Sequence, residues 1–283
     1  MKQEWFDILE VKSEEEIDNI SDEKWAYISS YKKLPEKFIE KFQDEVWWVN
    51  ISCYQTLSEE FIEKFQDKIN WYYISIKQKL SEEFIKKFQD RVDWHYISMY
   101  QKLSEEFIEK FQDKVDWYYI SSCQKLSEKF IEKFQDKVDW KYISMYQKLS
   151  PKFMKKYNLQ KPENNWLYAT KAQKMKAIKK CEKYEINGDY IIAYKSTRID
   201  GVSCFNSQYI YKVGETYESN CDCNFDTENS FGLSAWTKEG AFNYYSNGEL
   251  YKVKIHIDDI GVLVQKSNKI RCFKLEVIEK IDF

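Results

Sequence analysis

Apolar residues in the first half of the chain recur every 23 positions: Trp25, Trp48, Trp71, Trp94, Trp117 and Trp140 keep that interval, as do Leu34, Leu57, Leu80, Leu103, Leu126 and Leu149. One unit, residues 103–125, reads LSEEFIEKFQDKVDWYYISSCQK and divides into two helical pieces. In the first piece Ser81, Ser104, Ser127 and Ser150 stand where an N-cap belongs, followed by glutamate or, at 151, by proline, both suited to a first helical turn. Phe84, Ile85 and Phe88 then share one helix face and leave the charges on the other. In the second piece Asn70, Asp93, Asp116 and Asp139 precede the tryptophan as caps, and Trp94 and Ile97 face one side. The serine of each Trp-x-x-Ile-Ser bonds back to a carbonyl or lets helices approach closely.

Helices this short are unstable alone, so each unit must stack on its neighbours. The pattern predicts an α-solenoid of 23-residue two-helix repeats over residues 21–160, behind an N-terminal cap at 1–20. About twelve short helices are expected, with the six tryptophans buried between units. Positions that vary between copies are the candidates for reading a partner: Tyr72, His95, Tyr118 and Lys141 directly after the tryptophan, and Met99 and Met145 five residues after it.

After Leu149 the pattern decays through SPKFMKKYNLQKPENNW, as a terminal cap would. The basic stretch from Trp166 to Tyr184 reads as one longer helix within a bridge spanning 161–185. All seven glycines follow residue 187 and all three prolines precede it, which marks a change of fold. DYIIAYKS, QYIYKV, LYKVKIHI, GVLVQ and IRCFKLEVIEK read as strands, and TKEGAFNYYS as a helix capped by Thr237. Residues 186–283 are thus expected to form a small α+β domain.

Lysine and arginine number 44 against 47 acids, a net charge of −3, without the basic excess of a nucleic-acid binder. No run of about 20 apolar residues suggests a membrane span. The opening residues carry acids where a secretory signal has an apolar core, and the seven cysteines are odd in number and scattered, so a cytoplasmic protein with reduced thiols is expected. Cys221 and Cys223 could bind zinc with Cys204, Cys272 or His256, but paired Cys-x-x-Cys units are lacking and no metal is expected. Glycine-rich phosphate loops are missing, so neither a nucleoside triphosphate nor another cofactor is expected.

The repeat, in full LSEEFIEKFQDKVDWYYIS, resembles short two-helix repeats encoded by giant viruses and some phages, over residues 21 to about 157. That resemblance implies an architecture and no activity. Tyr211-Lys-Val-Gly214-Glu-Thr-Tyr217, Cys221, Phe231-Gly-Leu-Ser-Ala-Trp236 and Tyr244-Tyr245 look like a phage domain of unknown function, with Gly232-Leu233-Ser234-Ala235-Trp236 where that family has a histidine and a cysteine. The stretch ENSFGLSAWTKEGAFNYYSNGELYKVKI is also similar to certain ADP-ribosyltransferase-like domains, which implies that Tyr244 or Tyr245 stacks on nicotinamide, Arg198 holds an NAD phosphate and Glu276 stabilises the sugar cation. Their Glu-x-Glu and Ser-Thr-Ser motifs are missing. The favoured expectation is a non-enzymatic scaffold for protein–protein interaction, viral or phage encoded, with a protein partner on the repeat face. Tyr244 is then packed under the sheet, with Arg198 and Glu276 apart. An NAD-dependent ADP-ribosyltransferase-like activity is the alternative, and the oligomeric state is open.

Overall fold

The computed structural model describes residues 2–160, 165–204, 209–224, 230–264 and 268–281. The chain divides into two compact units, Met1–Gln101 and Lys102–Phe283, so the division falls inside the repeats.

The first unit opens with α1 (Lys2–Leu9), whose Trp5 ring meets Phe38 and Phe42 edge-on, and a 3-10 turn at Ile17–Asn19. The second half of one repeat and three full copies follow. These are α2 (Asp22–Tyr31), α3 (Glu36–Lys41), α4 (Trp48–Tyr54), α5 (Glu59–Lys64), α6 (Trp71–Lys77), α7 (Glu82–Lys87) and α8 (Trp94–Tyr100). Expected caps are in place: Ser81 accepts from the backbone three residues on, Asn70 from Tyr73, and Asp93 from His95 and Tyr96, and Ser58 caps α5 in the same way.

Three polar contacts hold the short helices. Ser52, Ser75 and Ser121 do both jobs available to a hydroxyl. Ser75 Oγ donates to Trp71 O (2.8 Å) and accepts from Asp93 N (2.9 Å) in the next copy, as Ser52 does with Trp48 and Asn70. Gln78 is buried, donates through Nε2 to Ser52 O and Gln55 O, and accepts from Leu57 N through Oε1. Gln55 repeats this one copy earlier, on Ser29, Lys32 and Leu34. From Trp48 onwards each tryptophan indole donates to a glutamine carbonyl five residues back, as Trp48 does to Gln43 and Trp71 to Gln66.

The tryptophans differ from expectation. Trp25 is buried, but Trp48, Trp71, Trp94, Trp117 and Trp140 are half-buried, because the indole must reach its carbonyl at the helix boundary. The fully enclosed positions belong instead to the isoleucines, including Ile51, Ile62, Ile74 and Ile85.

The second unit begins with α9 (Glu105–Lys110), α10 (Trp117–Cys123), α11 (Glu128–Lys133), α12 (Trp140–Tyr146) and α13 (Pro151–Lys156), joined by the same contacts. The twelve helices α2–α13 match the expected number. The anticipated bridge is not one helix. Residues 161–164 lie outside the described residues, Trp166–Tyr168 is a 3-10 turn, and α14 (Lys171–Cys181) starts afresh on a Thr170–Gln173 capping box.

An antiparallel sheet follows, made of β1 (Glu185–Asn187), β2 (Tyr190–Thr197), β3 (Thr216–Glu218), β4 (Leu233–Trp236), β5 (Glu249–His256), β6 (Ile260–Val264), β7 (Lys269–Cys272) and β8 (Lys274–Ile281), with α15 (Lys238–Tyr244) between β4 and β5. The strand order is β3-β8-β5-β2-β4-β7-β6, and β1 forms a hairpin with β2. Ile178 of α14 joins the main core with Ile191, Ala193, Val253, Ile255 and Val277, while Ala241 of α15 packs with Trp236 and Leu250. Two expected strands are corrected. Gln208 lies outside the described residues, and 209–213 make only an isolated Val202–Ile210 bridge. The 270–280 run is two strands, broken where Phe273 N turns to Asp259 O. Gln265, at the end of the expected GVLVQ strand, also lies outside the described residues.

Candidate functional site

The repeats present two different surfaces. Along the first helices, charges pair from copy to copy: Lys64 with Glu40 (2.5 Å), Lys68 with Asp44 (2.8 Å), Lys87 with Glu63 and Arg91 with Asp67 (2.8 Å) in the first unit. In the second unit Lys133 pairs with Glu109, Lys137 with Asp113 (3.0 Å) and Lys156 with Glu132 (2.8 Å). Such exposed pairs are worth little each, but they link successive copies along this surface.

The second helices carry aromatic rings instead. Directly after the tryptophans, Val49, Tyr72, His95, Tyr118 and Lys141 are exposed, Tyr72 at 46% and Tyr118 at 45%. Tyr72 meets Tyr96 of the next copy edge-on, with centroids at 4.9 Å and hydroxyls 3.3 Å apart, and Tyr118 meets Tyr142 at 4.5 Å. The hydrogen bond from Tyr72 pushes the Tyr96 hydroxyl up to about 12, and that from Tyr142 does the same for Tyr118, so these two hydroxyls stay neutral. Tyr27, Tyr31 and Tyr54 add exposed rings in the first unit. Met99 and Met145 are only half-exposed, and the equivalent Ser122 is buried, its carbonyl held by Asn220 of the sheet domain.

In the sheet domain, Arg198, Tyr244 and Glu276 do not form one pocket. Arg198 follows the Thr197–Glu249 pair and bonds Asp200 at 3.1 Å. Glu276 sits opposite Lys254, five residues further along β5, about 17 Å away at the rise of a strand, and pairs with Lys254 at 3.6 Å. Tyr244 is not packed under the sheet as expected. It is 47% exposed, with its ring stacked on Trp236 at 4.4 Å, because Ala241 takes the inward position of α15.

The cysteines do not converge on a metal either. Cys221 Sγ points to Asp222 O, Cys223 Sγ to Cys221 O and Cys272 Sγ to Leu233 O. Burial pushes the Cys221 and Cys272 thiols up, so they stay protonated core groups. Among the described residues no three His, Cys, Asp or Glu side chains come together as a metal site, and no helix is long and apolar enough to cross a membrane.

One residue that the sequence pattern passed over stands out. Lys195 of β2 is 6% exposed and has no hydrogen-bond acceptor among the described residues. Its ammonium lies over the rings of Tyr211 (5.0 Å) and Trp236 (5.4 Å). Burial pushes it down to about 8, opposed by the thiols of Cys204 and Cys272 and assisted by the nearby cation of Lys269. Cys204 is within electrostatic range of Lys195, Arg198 and Asp200, and acts in turn on the Tyr244 hydroxyl. Strand parity carried the missing signal, since Ile191, Ala193, Lys195 and Thr197 share one face of β2 and all are buried.

These features define a chain of two-helix repeats joined to an antiparallel sheet domain. No protein-family model, curated protein or solved structure matches it.

Proposed function

We propose that the repeats form an α-solenoid that serves as a protein-binding scaffold of the kind viruses and phages encode, with its recognition surface on the second helices. The observation that carries this reading is the contrast between the two surfaces. The first helices pair charges from copy to copy, while the second helices hold the tyrosine pairs Tyr72–Tyr96 and Tyr118–Tyr142, in which Tyr72 and Tyr118 are exposed. Tyrosine offers large contact area and a polar tip at low entropic cost, which is why it is enriched at interfaces. The residue beside each tryptophan changes from copy to copy through valine, tyrosine, histidine and lysine, so successive repeats would read different features of a partner. An NAD-dependent reading has no comparable support, because Arg198 and Glu276 are engaged by separate partners.

Affinity capture with the full chain tests the proposal. Tyr72→Ser with Tyr118→Ser is expected to abolish a partner's capture, while Lys87→Ser with Lys133→Ser on the ion-paired surface leaves it within about twofold of the parent, as rim charges do. The opposite ranking would overturn the assignment of the surface.

A further inference from the structure

Buried lysines in this protein come in two kinds. Lys174 is also 6% exposed, but its ammonium donates to Asp258 O (3.0 Å) and Ile260 O (2.5 Å), which ties α14 to the turn before β6. That is how a structural lysine is accommodated, since a buried charge is tolerated when hydrogen-bonded. Lys195 has no such acceptor. It is held by the faces of Tyr211 and Trp236, in a setting that removes water without fixing the three N–H bonds of an ammonium. The Tyr211 hydroxyl, also buried, has no hydrogen-bond partner among the described residues.

We propose that Lys195 is a nucleophilic amine that captures the carbonyl group of a small aldehyde or unhindered ketone as an imine, with the Tyr211 and Trp236 rings flanking the adduct. This lies beyond the scaffold role of the repeats and does not depend on it. A lysine desolvated among apolar groups and placed beside a second cation is the arrangement that leaves free amine available near neutrality. Both conditions are met here, by burial against the two rings and by Lys269. The groups that act on Lys195 in charge are Cys204, Cys272 and Lys269. Cys204, only partly buried, acts in charge on both Lys195 and the half-exposed Tyr244.

The chemistry balances without a cofactor. The neutral Nζ attacks the carbonyl carbon and forms a C–N bond. The two hydrogens of the amine and the carbonyl oxygen then leave as water, and a C=N bond remains. Exclusion of bulk water by the two rings slows the reverse hydrolysis.

The test uses the full native chain, benzaldehyde as the probe, cyanoborohydride to trap the imine, and peptide mass spectrometry to follow each lysine. Lys195 is expected to carry the reduced adduct at least about tenfold faster than exposed lysines such as Lys64 and Lys87 at neutral pH, because a lower pKa leaves more free amine. Its rate is expected to level off at a lower pH than theirs. Unfolding the protein before labelling is expected to erase the advantage. A Lys195 that stays unmodified while the exposed lysines react, or that reacts at their rate and with their pH profile in the native chain, would overturn the proposal.

Discussion

Lys195 and Gln78 are both buried polar side chains, and the structure treats them in opposite ways. Gln78 spends every donor and acceptor it has on backbone groups, so its burial strengthens the join between repeats. Lys195 places a charge against two rings and gains no hydrogen bond among the described residues in return. For a lysine whose folded pKa lies near 8 against 10.5 unperturbed, the unfolded chain binds more protons between those values. Stability then rises with pH across that window, and the penalty is fully present below it. Lys195→Met is therefore expected to stabilise the protein at neutral pH, by up to about 3 kcal/mol from the shift alone. That advantage over the parent should shrink between pH 8 and 10.5. Urea unfolding of both proteins across the window checks it, and a constant difference would mean that Lys195 is not buried as a charge. The pattern DYIIAYKS showed the strand but not this role, because lysine in an alternating segment reads as an outward residue. Only its shared parity with Ile191 and Ala193 marks it as inward.

At the scale of the element, six- and seven-residue helices have no stability of their own and take it from neighbours. The caps were legible because serine, asparagine and aspartate at a helix start have one common purpose, and Ser58, Ser81, Asn70 and Asp93 fulfil it. The glutamine contacts were not, since a glutamine repeated every 23 residues in a polar linker looks like surface. The tryptophan positions misled in the other direction. Their invariance reflects an indole reaching a carbonyl as much as it reflects burial. Gln78→Ala would strip partners from Leu57 N, Ser52 O and Gln55 O, and is expected to cost about 3 kcal/mol, since each buried orphan costs on the order of 1 kcal/mol or more. Denaturant unfolding of the full chain measures this. A cost near zero would show that water replaces the side chain and that the glutamines do not join the repeats.

Across the whole molecule, the repeats need an end. The next glutamine of the series would fall at residue 170, where the chain has threonine. Tyr168 takes over: its hydroxyl donates to Gln147 O (3.2 Å) and accepts from Leu149 N (3.4 Å), two of the three backbone groups that a further glutamine would hold. Asn165 binds Met145 O, and Phe231 packs edge-on against Tyr146, so the sheet domain itself closes the last copy in the second unit. The change of fold after residue 187 could be read from the glycines and prolines, but this docking could not, because it depends on single residues brought together across the unit. The central claim concerns the surface left open by this arrangement, and radical footprinting of the full chain with and without a captured partner tests it most directly. Tyr72 and Tyr118 are expected to lose reactivity on binding, with the ion-paired surface around Lys87 and Lys133 unchanged. Protection confined to the ion-paired surface or to the sheet domain, with both tyrosines as reactive as in the free chain, would contradict it.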